Sequence, residues 1–299
     1  MNSMSSMSAA AADAGLWALL AGPFIEFGFM RRALAGCVAL SLGCAPVGVF
    51  LLLRRMSLTG DAMAHAILPG AAIGYLLAGL SLPAMTLGGA LAGLLVAAAS
   101  GAVARATVLR EDASMAAFYL LSLALGVLIV STRGSNVDLL HVLFGTVLAL
   151  DDAALWLIAG IAAFTLAALA LLLRPLAAEC MDPGFLRSVA PRWSAAAHYG
   201  FLALLVLNLV AGFHALGTLM AVGIMVLPAA SARLWARSLG GMLALATGMA
   251  LAACVAGLLL SYHLGWPASS VIVLCLGAGY IASLALGPQG LWRGQARAH

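Results

Sequence analysis

The sequence predicts an all-α fold, a polytopic bundle of about eight or nine transmembrane helices. Three observations carry this expectation. The 299 residues are 65% hydrophobic and 8% charged, whereas a soluble globular domain carries roughly a quarter charged residues. The apolar residues fall into runs of about 20, the length that crosses a ~30 Å hydrocarbon core as a helix. The arginines, in turn, gather in alternate connections, the bias that orients membrane helices.

The elements follow in chain order. Residues 1–32 read as an N-terminal tail with an interfacial segment. Apart from Asn2, the positions before Asp13 are Ser, Met and Ala with no basic stretch, so no cleaved signal peptide is expected. Pro23 and Glu26 place 15–30 at the interface rather than across it. Apolar spans are expected at 33–53, 57–80, 83–104, 113–132, 153–173, 195–213, 216–232, 239–262 and 267–286. The run 138–149, DLLHVLFGTVLA, is too short to cross and reads as re-entrant or interfacial. Residues 33–286 thus form one transmembrane domain, and 287–299 a cytoplasmic C-terminal tail. Placing the loop 174–193 in the cytoplasm puts eleven of the fourteen arginines inside and leaves Arg31, Arg32 and Arg133 outside. Eight spans, with the first assigned differently, is the alternative.

Composition also excludes functions. Every basic side chain other than histidine is arginine; lysine is absent. A P-loop needs its lysine on the β/γ-phosphates, so the chain carries no P-loop ATPase of its own. A lysine Schiff base is equally excluded. Clustered cytoplasmic arginines account for the net charge of +4 without a nucleic-acid partner. The five cysteines are scattered, with no CxxC, so neither a disulfide framework nor a thiolate cage is indicated. Ser57 and Ser122 have no His or Asp in catalytic register and no HExxH occurs, which argues against an intramembrane hydrolase.

One segment carries chemistry. RRMSLTGDAMAHAILPG at 54–70 sets Asp61 and His65 four apart in an apolar run. Ionisable groups at membrane depth cost a few kcal/mol and normally face a protein interior or polar path. Helical i,i+4 spacing stacks the two on one face, about 6 Å apart at Cβ, within reach of one shared ion. Pro69 lacks an N–H and so frees the carbonyl of His65. Carboxylate, imidazole and freed carbonyl together suit a divalent cation in transit; the other reading is an Asp–His pair that only ties helices together. Two copies at a two-fold axis would supply N₂O₂, a tetrahedral zinc set. Manganese prefers more oxygen and a higher coordination number. With no oxygen-rich cluster visible, zinc is the first expectation and manganese the second. Neither is a permanently bound cofactor.

The loop 174–193, RPLAAECMDPGFLRSVAPRW, is the longest polar connection. Asp182 before Pro183 reads as the N-cap and first position of a short helix, and Pro191 would end it. Its apolar residues alternate with mixed charge, which fits a groove in a soluble protein better than anionic lipid. A surface helix on lipid headgroups is the bland alternative. Weaker candidates for a metal path are His263 in the outward hairpin and His141 beside Asp138. An interface role and plain packing compete with these. Asp151–Asp152 suits helix capping, and Asn208 a bond to a neighbouring helix.

From about 23 to 286 the chain resembles the permease subunits of zinc/manganese/iron-type metal ABC transporters, the ABC-3 family. The resemblance rests on PFIEFGFMRRALAG at 23–36, RRMSLTGDAMAHAILPGAAIGYLL at 54–77 and HVLFGTVLALD at 141–151. It continues in ALGTLMAVGIMVLPAASARLWARSL at 215–239 and SYHLGWPASSVIVL at 261–274. It implies an ABC importer permease fold in a bacterial inner membrane and a transport subunit rather than an enzyme. It also implies a second permease copy, a cytoplasmic ATP-binding subunit and an extracytoplasmic metal-binding protein as partners. On that resemblance Asp61 and His65 contact metal in transit, and Glu179, Asp182, Pro183, Phe185 and Arg187 dock the ATPase. His214 stands where relatives commonly carry lysine or another polar residue, so no role is carried over to it. An ATP-independent secondary transporter or channel for divalent cations is the rival reading.

Overall fold

The computed structural model describes residues 19, 21–79, 81–108, 111–132 and 150–290. The regular structure among them is helical. After a helical turn at 21–26 come α1 (Gly28–Leu53), α2 (Ser57–Ala66), α3 (Leu68–Ala78), α4 (Leu82–Ala106) and α5 (Glu111–Thr132). Then follow α6 (Asp152–Met181), α7 (Pro183–Val189), α8 (Pro191–Leu216), α9 (Thr218–Trp235), α10 (Leu239–Leu264) and α11 (Ala268–Leu286). Among the described residues eight helical stretches are long and apolar enough to cross a bilayer, with α2 and α3 counted as one. The ninth expected span is α5, whose apolar part, Ala113–Ile129, is shorter.

Helix α1 is the post around which the rest is built, packing against α6, α8, α9 and α10. On one flank α2 to α5 pack among themselves; on the other, α10 and α11 pair and cover α9. Association of apolar helices in lipid depends on close backbone approach, because lipid tails are as apolar as leucine. Two glycine contacts provide that approach here. A Cβ on Gly48 of α1 would land on the Met225 carbonyl of α9. One on Gly70 of α3 would land on the Gly88 carbonyl of α4, and one on Gly88 on that of Gly70. The outward leucines of α3 to α6, such as Leu77, Leu91, Leu95 and Leu171, are exposed in the single chain, as a surface solvated by lipid or covered by a second subunit would be.

The helix ends follow local chemistry. Asp151 caps α6, accepting from the Ala154 N–H at 2.8 Å. Asn208 of α8 bonds Thr165 of α6 at 2.8 Å, the interhelical role expected for it. At the end of α1 the Met56 N–H bonds the Leu51 carbonyl and the Arg55 N–H that of Leu52. This is a Schellman closure, with arginine at the left-handed position (φ 60°) that usually falls to glycine. A Cβ there costs about 1 kcal/mol, so the turn into α2 is held by its surroundings.

One expectation needs correction. The segment 174–193 is not a polar loop, because α6 continues to Met181 with Pro175 inside it. Leu176 is fully buried and Glu179 nearly so; this packing carries the helix past a proline that would otherwise end it. The connection proper reduces to Asp182, α7 and Ala190.

Candidate functional site

Asp61 and His65 lie on α2, whose backbone the sequence interrupts at Ile67, two residues before Pro69. Helix α5 supports the break. Ser122 Oγ donates to the Ala66 carbonyl at 2.9 Å, and Gly126 backs onto Pro69. Asp61 Oδ1 and His65 Nε2 are 3.8 Å apart. That is too long for a direct hydrogen bond and short enough for both to meet one ion.

Their exposure differs from the expected buried couple. The Asp61 side chain is 67% exposed and that of His65 31%. Leu58, one turn earlier on the same face, is also exposed. This face of α2 is therefore uncovered in the single chain. His65 Nδ1, by contrast, is enclosed and has no hydrogen-bond partner among the described residues; Tyr119 of α5 lies beside the ring, centroids 6.5 Å apart. Among the described residues no group of three His, Cys, Asp or Glu side chains comes together to hold a metal. One chain thus brings two such side chains, Asp61 and His65, together at this point.

Among the described residues no further histidine or acidic candidate joins Asp61 and His65 in a group of three. His263, at the end of α10, has Nε2 3.2 Å from the Leu19 carbonyl and lies edge-on to Tyr262. His141 and Asp138 lie outside the described residues. Of the docking candidates, Asp182 caps α7 by accepting from the Phe185 N–H at 2.9 Å, with Pro183 opening the helix. Phe185 and Val189 project outward, Arg187 is exposed and Leu186 anchors the helix inward. Glu179 departs from its expected place on that surface. It is 5% exposed and ion-paired to Arg54 Nη2 at 3.1 Å.

That pairing belongs to a cluster that sequence reasoning missed. Arg54 Nη2 also lies 2.8 Å from His198 Nδ1 of α8, and the guanidinium sits 4.9 Å from the Phe201 ring centroid. A guanidinium only donates, so Nδ1 accepts and His198 is the neutral tautomer with its proton on Nε2. The three residues are 125 and 144 positions apart, so no periodicity could join them. The available signal was weaker: three polar side chains, each at the arginine-rich end of an apolar helix.

The family model described as the ABC 3 transport family matches residues 26–287. The manganese import system permease protein ScaB of Streptococcus parasanguinis is 33% identical over 264 residues, covering 88% of this chain and 92% of that one. The chelated iron transport system membrane protein YfeD of Yersinia pestis is 30% identical, covering 90% and 89%. The solved PsaBC from Streptococcus pneumoniae, in complex with Fab, superposes with a TM-score of 0.80 at 29% identity, covering 93% of this chain and 98% of that one.

Proposed function

The chain belongs to the ABC 3 transport family, and on that premise we propose that it is the membrane permease of an ATP-driven divalent-metal importer. Two copies would face each other across α2, so that both Asp61–His65 pairs line the route. The observation that carries this reading is the exposed Asp61 carboxylate on a transmembrane helix. A carboxylate turned to lipid is costly; a second copy and a passing dication would cover and neutralise it. Two carboxylates balance the ion's charge, and two imidazoles complete a four-donor set. Such a site accepts an ion without trapping it, as conduction requires.

The cargo proposed is manganese, because ScaB is named for manganese and YfeD for chelated iron. Backbone carbonyls and water can raise the donor count that manganese prefers. Zinc, the first expectation from sequence, is the competing cargo, since N₂O₂ donors suit its tetrahedral preference. ATP hydrolysis falls to a separate cytoplasmic subunit, received by the outward face of α7. An extracytoplasmic metal-binding protein would deliver the ion.

The test is uptake of manganese and of zinc into proteoliposomes holding the full complex, with Asp61→Ala and His65→Ala beside the parent. Both variants should assemble with the ATPase and lose uptake. Normal uptake by both removes the transit site. Uptake that persists without ATP and collapses with the proton gradient supports a secondary transporter instead.

A further inference from the structure

Two helices matter to the proposed function, the outward α7, which packs against α6 and α8, and the transit helix α2. Between them lies the Arg54–Glu179–His198 cluster, with side chains only 8%, 5% and 8% exposed. Its placement in the chain is specific. Arg54 is the last residue before the left-handed turn at Arg55 and stands three residues ahead of α2. Glu179 lies in the last turn of α6, three residues before the Asp182 cap of α7. His198 lies in the second turn of α8, which starts two residues after α7 ends. Both helices that flank α7 are therefore tied to the one residue that leads into α2.

The tie is stiff. Glu179 Oε1 and His198 Nδ1 converge on the same Nη2, 3.9 Å from each other. Phe201 covers one face of the guanidinium, and Gly101 of α4 lies against His198 Nε2. In these surroundings an arginine without its carboxylate would be an uncompensated charge. A displacement of α7 that carries its flanking helices must therefore either break this cluster or move Arg54 with it. The short closed turn at Arg55 leaves little slack between Arg54 and α2.

We propose that Arg54, Glu179 and His198 are the positioning residues that transmit movement of the docking helix α7 to the transit helix α2. The inference rests on the permease reading above and adds the coupling route to it. The role proposed for the cluster is exercised through the helices it joins.

The experiment uses the full chain with its ATPase partner and binding protein in proteoliposomes. It measures assembly, basal ATP hydrolysis, cargo-stimulated hydrolysis and uptake. Glu179→Gln keeps the shape and removes the charge. Assembly and basal hydrolysis should be retained, while cargo-stimulated hydrolysis and uptake fall by about tenfold, the size of a typical coupling between sites. His198→Leu, which removes the acceptor, should behave likewise. His198→Asn, whose Oδ1 can replace Nδ1 as acceptor, should restore coupling. The proposal is overturned if Glu179→Gln and His198→Leu keep the parent's ratio of stimulated to basal hydrolysis. It is equally overturned if both lose assembly and basal hydrolysis in step with uptake, because the cluster would then only hold the fold. A parent complex with no metal uptake would instead overturn the permease reading itself.

Discussion

Replacing Gly70 with alanine should destabilise the chain although alanine is the better helix former. The new methyl would coincide with the Gly88 carbonyl of α4 and stand 2.6 Å from Ala92 Cβ. Carbon atoms prefer separations of about 3.5–4.0 Å, so α3 and α4 would have to part by roughly 1 Å. Over-packing of this kind costs about 1–3 kcal/mol, here near the top of the range because backbone rather than a mobile side chain obstructs. The gain in helix propensity returns about 1 kcal/mol, which leaves a net loss of roughly 2 kcal/mol. At roughly 2–4 °C per kcal/mol, the midpoint of thermal unfolding in detergent should fall by about 4–8 °C. The control is Gly160→Ala on α6, where a Cβ meets nothing within 4 Å. It should raise the midpoint slightly, through propensity alone. The reasoning fails if Gly70→Ala is as stable as the parent, or if the two substitutions move the midpoint in the same direction.

Two further perturbations separate local from interhelical effects. Asp182→Ala removes the cap that accepts from Phe185 and should fray the seven-residue α7 by about 1 kcal/mol. Affinity for the ATPase subunit, measured by surface-immobilised binding, should then weaken about fivefold, and unchanged affinity would argue against α7 as the docking element. Asn208→Leu is close to isosteric but gives up the bonds to Thr165 and the Leu204 carbonyl. A loss of about 1 kcal/mol should appear as a small fall in the unfolding midpoint with uptake intact, whereas loss of uptake at unchanged stability would place Asn208 on the transport route.

The spanning helices were legible because most are apolar runs of membrane length with Pro, Gly, Asp or Ser near their ends, a signal that needs no partner. The break at Pro69 and the caps at Asp151 and Asp182 were legible for the same reason: proline lacks a donor, and a short carboxylate reaches the N–H three residues on. The continuation of α6 through Pro175 was not. A proline inside a helix is tolerated when packing outweighs the lost bond, and the burial of Leu176 depends on neighbours that sequence does not name. Glu179 was misplaced for a related reason. Beside Asp182 in a polar stretch it looked like surface, while the arginine that draws it inward lies 125 residues earlier. The i,i+4 relation of Asp61 and His65 was plain from spacing, but their exposure was not, because spacing fixes a shared face without saying what that face meets.

With so few charged residues in the chain, the fate of each ionisable group near the membrane separates structure from function. Arg54 and Glu179 neutralise each other inside one protomer, with an aromatic face and a neutral imidazole taking up further valences. Among the described residues Asp61 is paired only with His65, too far for a hydrogen bond and with its side chain 67% exposed. A cluster whose opposite charges are paired inside the chain, with Arg54 Nη1 alone of the guanidinium nitrogens enclosed without a hydrogen-bond partner among the described residues, is suited to hold helices in register and move them together. A carboxylate left half-satisfied on an open face is suited to receive a cation and to let it go. In the mechanism proposed above, the same cost of charge in a low-dielectric medium gives opposite roles to two clusters joined by the turn at Arg55, and the short path between them is the route by which one would act on the other.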